Sequence, residues 1–390
     1  MSPIQEIGII GAGLSGLSLA LALHQQGIQS IVYESQPTAL GILDKLQVFP
    51  RLEPHSYKFE RLHFHSENNE PVDDFEFGSV AKYGYPAVRV YRSKLIKILL
   101  DMIQERGIRV VYGKKFQAIV SEHADSVTWA FADGSQATAS MLIGADGIHS
   151  RVRSFLEPDA QPMFTNMMGI NAAVPTSQLG DVTNYPLPVT IMNPKLGAFV
   201  IAPQLADGSE VFIGRQFRFE EEPDRQSLAA LTNNKTWCAE FLQQGNSEYP
   251  EIVARATSSI SPDRISLWPF YLLPELKTWS SKFTRVTIVG DAAHALPPSA
   301  GQGVNQAFED IYTLSGILGK LGLNHGSKLQ AGLEKWQSGR QQRLAQILKL
   351  NERMNRRRLP SKEEVDLEPF HMEWLYGADF DKAVADWTSC

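Results

Sequence analysis

Six residues near the start of the chain, Gly11-Ala12-Gly13-Leu14-Ser15-Gly16, constrain its fold more than any other segment. They follow the apolar run from Ile7 to Ile10 and precede an apolar stretch with helical character, and Glu34 closes the next apolar run. A strand, a Gly-rich turn, a helix, a second strand and an acidic residue form the pattern of a dinucleotide-binding βαβ unit.

The residue types in this motif have physical reasons. Gly11 permits the tight turn, Gly13 lets backbone N–H groups approach a pyrophosphate, and Gly16 lets the helix pack closely on the strand. The helix N-terminus adds a partial positive charge, and Glu34 can accept hydrogen bonds from ribose hydroxyls. We therefore expect these residues to bind a dinucleotide: Gly11, Ala12, Gly13, Leu14, Ser15, Gly16 and Glu34.

Length, charge and cysteine content narrow the class of protein. With 390 residues the chain is long enough for two domains, and its net charge of −6 argues against binding to nucleic acid or anionic membranes. Its two cysteines, Cys238 and Cys390, cannot build a disulfide framework or a thiolate metal cluster. The N-terminus lacks the features of a signal peptide, and no apolar run reaches the ~18 residues of a membrane span. We expect a cytoplasmic protein with no metal site.

A second motif indicates which dinucleotide is bound. Gly290-Asp291-Ala292-Ala293-His294 ends a buried run and is followed by Pro297-Pro298 and by Gly301-Gln302-Gly303-Val304-Asn305. Asp291 can accept hydrogen bonds from a ribityl hydroxyl, and the amides near Gly303 to Asn305 can face the negative N1–C2=O edge of a reduced flavin. A second helix N-terminus, directed at the far end of the same ligand, favours a long cofactor such as FAD over NAD.

With these motifs in order, the sequence resembles the class A flavoprotein monooxygenases, the family of para-hydroxybenzoate hydroxylase, and in overall character its fungal secondary-metabolism members. The resemblance covers residues 1 to about 345 and includes the family's middle motif at Asp146-Gly147 and an arginine at Arg92. It implies that Arg92 lies on the pyrophosphate side and that Asp146 is associated with both FAD and NADPH. It also implies that the loop containing Pro298 and Gly301 shapes the flavin pocket.

The resemblance implies an α/β fold: a Rossmann-like FAD-binding domain, an inserted sheet-rich substrate domain and a C-terminal helical region. We expect residues 1–160 to form the first part of the FAD-binding domain, with 52–90 contributing to the substrate domain. Residues 161–280 would form the substrate domain, 281–345 the second part of the FAD-binding domain, and 346–390 a helical tail.

The implied activity is that of a monooxygenase using FAD, NAD(P)H and O2. A flavin C4a-hydroperoxide would transfer one oxygen atom to an electron-rich aromatic or alkene small molecule. Arg215, on a strand of the second domain, is either a substrate-polarising catalytic residue or an exposed strand arginine. Only one GxGxxG motif is present, so NAD(P)H is expected to bind transiently in a cleft. The oligomeric state is expected to be a monomer or a homodimer.

Four alternatives share these motifs in whole or in part: a flavin-dependent halogenase, a prenyl-reductase-like flavoprotein, an FAD oxidase or amine dehydrogenase, and a flavin-fold protein with impaired FAD binding. The halogenase is disfavoured because its Trp-x-Trp-x-Ile-Pro motif is absent. Impaired FAD binding is kept open because the chain runs from Glu34-Ser35-Gln36 almost directly into Pro37 to Leu46. Compared with the family's usual segment here, which passes beside the flavin, on the order of a dozen residues are missing.

Two further sets of residues have structural interpretations. His294 is expected to pack the loop after Gly290 rather than act as a base. The basic run Arg356-Arg357-Arg358 is expected to be a solvated end of a long helix, where positive charge is favourable.

Overall fold

The computed structural model describes residues 6–35, 48–323, 326–359 and 368–389. Its strands, labelled in chain order, are β1 (Glu6–Ile10), β2 (Gln29–Glu34), β3 (Tyr57–Phe59), β4 (Arg61–Ser66), β5 (Pro71–Glu76), β6 (Ala87–Arg89), β7 (Arg109–Tyr112), β8 (Phe116–Glu122), β9 (Val127–Phe131), β10 (Gln136–Ala139), β11 (Met141–Gly144), β12 (Met163–Pro175), β13 (Val189–Asn193), β14 (Gly197–Pro203), β15 (Glu210–Arg218), β16 (Ser266–Leu272) and β17 (Val286–Ile288).

The α-helices are α1 (Leu14–Gln25), α2 (Phe49–Leu52), α3 (Val80–Tyr83), α4 (Arg92–Glu105), α5 (Arg151–Leu156), α6 (Arg225–Asn233), α7 (Lys235–Gln243), α8 (Glu251–Thr257), α9 (Asp291–His294), α10 (Gly303–Leu321), α11 (Gly326–Arg358), α12 (Glu373–Tyr376) and α13 (Phe380–Thr388). Within the described residues, no helix combines the length and the apolar character that a membrane crossing needs.

A parallel sheet carries the N-terminal motif. In the described residues its order is β17-β11-β1-β2-β7, and every neighbouring pair is parallel. The strands are short apolar runs, as expected for a sheet that is covered on both faces. Strand β11 and the central part of β1 are fully buried, and α1, α4 and α10 pack with them in one hydrophobic core. The strand order reverses direction at β1, which makes the edge beside β1 and β11 the switch point of the sheet.

A second, seven-stranded sheet has the order β16-β12-β15-β14-β13-β4-β5. Most of its pairs are antiparallel, but β4 joins it through a parallel pairing with β13, in which His63 lies opposite Val189. This pairing places residues 61–76, from the first quarter of the chain, in the same sheet as residues 163–272. One face of the sheet packs against α7 and α8 in a second core.

The long helix α11 runs across the domain boundary expected between residues 345 and 346, because it continues without a break from Gly326 to Arg358. Residues 368–389 return to α10 and α11. Two backbone carbonyls of this segment, those of Trp374 and Leu375, accept hydrogen bonds from Arg343 of α11. The helix bounds therefore do not match the predicted start of a separate helical tail at residue 346.

Candidate active site

The carboxyl edge of the parallel sheet brings the sequence motifs together. The Gly-rich turn follows β1, Glu34 ends β2, Asp146 follows β11 and Gly290 follows β17. Because neighbouring parallel strands end at the same edge, four segments that are far apart in the sequence meet at the switch point.

Two hydrogen bonds hold the Gly-rich turn to the end of β2. The Gly11 N–H donates to the Tyr33 carbonyl (2.8 Å), and the Ala12 N–H donates to Glu34 Oε2 (2.6 Å). Gly11 has a φ of +99°, and a Cβ there would lie 2.5 Å from the Ala145 carbonyl oxygen. The turn is thus fixed in a conformation that only glycine adopts without strain.

Glu34 accepts a hydrogen bond from the turn and another from the Ser35 hydroxyl (2.9 Å). Its carboxylate therefore orders the Gly-rich turn, whether or not it also contacts a ribose. The stretch that follows, Pro37 to Leu46, which is expected from the sequence to be shortened, lies outside the described residues.

The Asp146 carboxylate lies at the start of α5. It accepts hydrogen bonds from the Ser150 hydroxyl (2.5 Å) and from the backbone N–H groups of Arg151 (2.8 Å) and Val152 (3.3 Å). Burial raises the pKa of Asp146, and these three donors act in the opposite direction. In this arrangement Asp146 caps a helix, and its association with FAD and NADPH stays a prediction.

Gly290 and Asp291 form the turn after β17. The Gly290 N–H donates to Asp310 Oδ2 of α10 (2.8 Å), which fixes the turn to the helix behind it. The side chain of Asp291 is exposed and accepts no hydrogen bond within the described part of the chain. This carboxylate can accept hydrogen bonds from the hydroxyls of a bound ligand.

The helix α10 begins at Gly303 directly after the turn Pro298–Ala300 and has no side-chain cap. The first N–H groups of a helix have no partner within the helix, and they carry part of its positive dipole. Val304 and Asn305 in this first turn are exposed. The N-terminus of α10 is therefore able to bind a negatively charged atom.

One groove connects the two helix starts. Its volume is about 650 Å³, and residues from both predicted motifs line it: Leu14, Arg92, Gly301, Val304 and Asn305. A second cavity, of about 360 Å³, lies between the seven-stranded sheet and the Pro298–Gly301 loop. The groove and the cavity share Phe77, Val88, Arg89 and Gly301, so the two spaces adjoin. This is the shape of an elongated ligand site that ends beside a smaller compartment.

Comparison with known proteins finds similarity over nearly the whole chain. The model of the FAD binding domain family matches residues 5–351. The chain belongs to this family.

Among curated relatives of this FAD-binding chain, a 3-amino-4-hydroxybenzoate 2-monooxygenase of Streptomyces platensis is 26% identical and is matched over 95% of the chain and 96% of the relative. A hispidin-3-hydroxylase of Neonothopanus nambi is 28% identical, with 80% of each chain covered. A solved salicylate hydroxylase–substrate complex superposes with a TM-score of 0.80 at 21% identity, covering 99% and 98% of the two chains. These matches confirm the predicted family, the α/β fold class and FAD as the cofactor.

The residues at the sheet edge fit FAD. Among the described residues, and apart from its immediate chain neighbours, a Cβ at Gly13 would have only the Ala145 carbonyl oxygen within 4 Å, at 3.7 Å. A Cβ at Gly303 would meet no described residue within that distance outside its own helix and neighbours. The described structure thus leaves room for a ligand against the main chain at both glycines. The exposed Asp291 and the N-terminus of α10 add an acceptor and a set of donors further along the groove.

Arg215 requires a correction, because its guanidinium group is not on the substrate side of the sheet. Side chains alternate along a strand, and Arg215 falls on the same face of β15 as Val211 and Ile213, which pack in the helix-covered core. The guanidinium donates to the carbonyls of Phe241 (3.1 Å), Gln244 (2.9 Å) and Leu196 (2.9 Å). The residue is 7% exposed, so neither a substrate-polarising role nor an exposed position describes it. Although Arg215 borders the cavity, its charge is used to join the sheet to its helices.

The basic run at the end of α11, Arg356-Arg357-Arg358, is not solvated throughout. Arg357 is 4% exposed, forms an ion pair with Asp73 and stacks 4.2 Å from the ring centre of Phe370. Arg358 borders the 360 Å³ cavity. The expectation of a solvated helix end is wrong for these two residues, because α11 ends against the seven-stranded sheet and not in solvent.

Sequence reasoning also missed Phe77 and Arg89, which border both spaces. Both lie in the stretch 52–90, where aromatic and acidic residues are interleaved and show no clear period. Phe77 directly follows β5, which reaches the seven-stranded sheet through β4 and its pairing with β13, whereas Arg89 lies in β6, which pairs with β3. Local sequence does not encode either arrangement. His294 has the packing role that was expected: its Nε2 pairs with buried Asp310, and its ring lies 5.5 Å from that of Trp279.

Proposed function

We propose that this chain is a FAD-dependent monooxygenase that inserts one oxygen atom from O2 into an aromatic small molecule at the expense of NAD(P)H. The observation that carries the proposal is the junction of the two spaces. The groove reached by both helix starts meets an apolar cavity at Phe77, Arg89 and Gly301. When bound, FAD supplies the activation of O2 and the transfer of its oxygen.

The chain's own residues bind, orient and exclude water. The Gly11–Gly16 turn supplies a backbone surface for the pyrophosphate, and Asp291 accepts hydrogen bonds from ribityl hydroxyls. The N-terminus of α10 places positive charge at the far end of the groove, where it would stabilise negative charge on a flavin held there. We assign the remaining predicted cofactor contacts to Glu34, Arg92, Asp146, Pro298, Gly301, Gly303, Val304 and Asn305.

The cavity supports an aromatic substrate. Its volume of about 360 Å³ falls within the usual ~300–1,000 Å³ of small-molecule sites. Rings form much of its wall: Phe59, Phe77, Phe212, Trp268 and Phe270. A curated relative is named for its action on 3-amino-4-hydroxybenzoate, a single-ring compound of suitable size. Rings that surround an enclosed substrate also keep water away from the reacting atoms.

We further propose a cytoplasmic enzyme that is a monomer or a homodimer. Support comes from the two cysteines and the acidic net charge of −6. The division into two FAD-binding segments with an inserted substrate domain is kept as a proposal, supported by the two sheets.

Oxygen uptake tests the function. FAD-loaded protein is mixed with NADPH, isotopically labelled O2 and a panel of hydroxylated and aminated aromatic compounds. We expect equal consumption of NADPH and O2 and one labelled oxygen atom in a product. Product formation without O2 uptake would indicate a reductase instead. Reduction of the flavin by the substrate in the absence of NADPH would indicate an oxidase. A protein that retains no flavin would contradict the proposal altogether.

The variant Asp291→Ala tests the proposed contact between Asp291 and FAD. Losing a charged acceptor for ribityl hydroxyls is expected to weaken FAD binding at least about tenfold, which corresponds to about 1.4 kcal/mol. Unfolding of the apoprotein is expected to be unchanged, because the carboxylate has no hydrogen-bond partner among the described residues. Asp263→Ala, at another exposed aspartate, is the matched control. Equal FAD affinity of the two variants would refute the assignment.

A further inference from the structure

A third space lies on the same face of the seven-stranded sheet as the 360 Å³ cavity. Gly169 of β12 lies opposite Gln216 of β15, and both border the cavity. Two residues along these strands, where side chains return to the same face, Met167 lies opposite Arg218, and both border the third space. We call this space the lateral pocket. Its volume is about 370 Å³, which is sufficient for a small organic molecule.

A partition of side chains separates the lateral pocket from the cavity. Met167 packs with Phe270 and Leu359 in a small hydrophobic cluster, and Gln216 Nε2 donates to Asn355 Oδ1 (3.1 Å). Phe270 and Gln216 border the cavity on one side of this partition. Met167, Leu359 and Asn355 border the lateral pocket on the other side. The lateral pocket is therefore a space of its own and not a part of the cavity.

Asn351 of α11 joins the lateral pocket to the loop beside the cofactor groove. The residue borders the pocket and is 3% exposed, and its Oδ1 accepts a hydrogen bond from the Ala300 N–H (2.7 Å). Its Nδ2 group is buried and has no hydrogen-bond partner in the described structure. Unsatisfied buried donors are uncommon in native proteins, and one beside a pocket indicates an acceptor atom on a ligand.

Two cations at the lateral pocket determine the sign of the charge that it attracts. Arg218 and Arg356 are exposed, and within the described residues neither makes a hydrogen bond or an ion pair. Among the described residues that border the pocket, Glu352 carries the one carboxylate, so the net charge is positive. Much of the remaining wall is apolar: Met167, Leu272, Pro297, Leu348 and Leu359.

We propose that the lateral pocket is a second ligand site, which binds a small aliphatic carboxylate and thereby stabilises the Pro298–Gly301 loop. The carboxylate accepts a hydrogen bond from Asn351 Nδ2 and is attracted by Arg218 and Arg356, while its aliphatic part contacts the apolar wall.

The site goes beyond the proposed function, because no part of the oxygen transfer uses it. A ligand that orders the Asn351 amide also orders the hydrogen bond from the Ala300 N–H. The same loop borders the cofactor groove at Gly301. Occupancy of the lateral pocket therefore strengthens FAD binding, and FAD strengthens carboxylate binding by the same factor.

Calorimetry of the apoprotein with pentanoate and its uncharged analogue pentanamide, at pH 8 and constant ionic strength, tests the site without FAD or turnover. We expect wild-type protein to bind one pentanoate at least about tenfold more tightly than pentanamide. Asn351→Asp keeps an acceptor for the Ala300 N–H but replaces the donor with a carboxylate oxygen. Arg218→Gln combined with Arg356→Gln removes both cations. Each change is expected to weaken pentanoate binding at least about tenfold.

Arg358→Gln is the matched control, because Arg358 borders the cavity and not the lateral pocket. Its pentanoate affinity is expected to stay within about twofold of the wild-type value. FAD titration of the wild-type protein is expected to show about fivefold tighter binding in saturating pentanoate, and Asn351→Asp no such change.

The proposal is overturned if wild-type protein binds no pentanoate or does not prefer it to pentanamide. It is equally overturned if Asn351→Asp keeps the wild-type affinity, if Arg358→Gln loses affinity as strongly, or if pentanoate leaves FAD affinity unchanged. A protein that shows the expected binding and coupling but no oxygen transfer would support this site and contradict the proposed function alone.

Discussion

Gly13 and Gly16 are three residues apart in one motif, yet a side chain would meet different surroundings at each position. A Cβ on Gly16 would lie 1.8 Å from the Gly11 carbonyl oxygen, well inside van der Waals contact. Among the described residues beyond its chain neighbours, a Cβ on Gly13 would approach only the Ala145 carbonyl oxygen, at 3.7 Å, and the φ of −70° at Gly13 is accessible to any residue. Gly16 is therefore required for close packing, whereas Gly13 is a position at which we propose that a ligand binds.

We therefore predict opposite results for Gly13→Val and Gly16→Ala. Gly13→Val is expected to cost only about 1 kcal/mol of apoprotein stability, because valine is a poorer N-cap of α1 than glycine, and to bind FAD at least about tenfold less tightly. Gly16→Ala is expected to lose about 3 kcal/mol of unfolding free energy, because strand and helix must separate to accommodate a methyl group. Urea denaturation of the apoproteins and FAD titration measure the two effects. Full FAD affinity in Gly13→Val would remove Gly13 from the pyrophosphate site.

Arg215 and Arg358 differ in how far the sequence could predict their positions. Alternation along β15 groups Arg215 with Val211 and Ile213, so the pattern Val-x-Ile-x-Arg could have predicted that its side chain faces the helices. No such pattern predicts the position of Arg358. Its place at the cavity depends on where a 33-residue helix ends relative to a sheet formed some 150 residues earlier, and local patterns carry no such information.

Among the elements, α9, α10 and α11 are joined by a buried ionic cluster. Asp310 of α10 accepts from the Gly290 N–H and from Arg340 Nε (2.8 Å each) and pairs with His294 Nε2. Arg340 is 1% exposed and also pairs with Glu309. Burial alone would raise the pKa of Asp310, but its interactions with His294 and with the Arg340 guanidinium group outweigh burial and lower the pKa. The cluster therefore fixes the turn that presents Asp291.

This cluster predicts a component of acid sensitivity. Because the pKa of Asp310 is lower in the folded than in the unfolded protein, its stabilisation is complete above the unfolded value of about 3.9 and is lost as pH falls through the folded value. Asp310→Asn is expected to be less stable at pH 7 and to show a shallower loss of unfolding free energy below about pH 4. Urea denaturation between pH 7 and pH 3 measures this. Asp386→Asn, at an exposed site, is the control, and an identical slope in both variants would exclude the mechanism.

Helices with a clear local signal were predictable, and elements built by distant pairing were not. The helix expected after the Gly-rich turn corresponds to α1, which is buried without a break from Gly16 to Leu23. The long helix expected to end at Arg356-Arg357-Arg358 corresponds to α11, whose buried residues recur every three or four positions. The strands within 52–90 gave no firm signal. They are short and of mixed polarity, and β4 is stabilised by β13, more than 120 residues later.

Considered as a whole, the molecule is closed by residues 368–389. Tyr376 from this segment borders the cofactor groove, and the Arg343 guanidinium donates to the carbonyls of Trp374 (2.9 Å) and Leu375 (2.6 Å). Arg343 also pairs with Glu309 of α10. The C-terminal segment is thus connected to the helix whose first turn, Val304 and Asn305, borders the groove.

A chain that ends at residue 359 is predicted to lose both stability and cofactor. Removal of the buried side chains of Met372, Leu375 and Val384 is expected to cost about 5 kcal/mol, at about 1.5–3 kcal/mol each. FAD is expected to dissociate more readily, because the groove loses the Tyr376 side. Thermal unfolding and the flavin content after gel filtration are the measurements. Tyr376→Phe, which removes only a hydroxyl, should retain wild-type stability. A truncated protein with wild-type melting and flavin content would contradict this.

The parallel pairing of β11 with β17 also has a consequence for biosynthesis. Leu142 lies opposite Val286, so the nascent polypeptide exposes an unfinished sheet edge while on the order of 140 further residues are translated. At roughly 5–20 residues per second this interval is on the order of ten seconds. An open hydrogen-bonding edge is a template for aggregation. Ribosome-bound chains stalled before Val286 should therefore depend on chaperones, and those stalled after α10 has emerged should not.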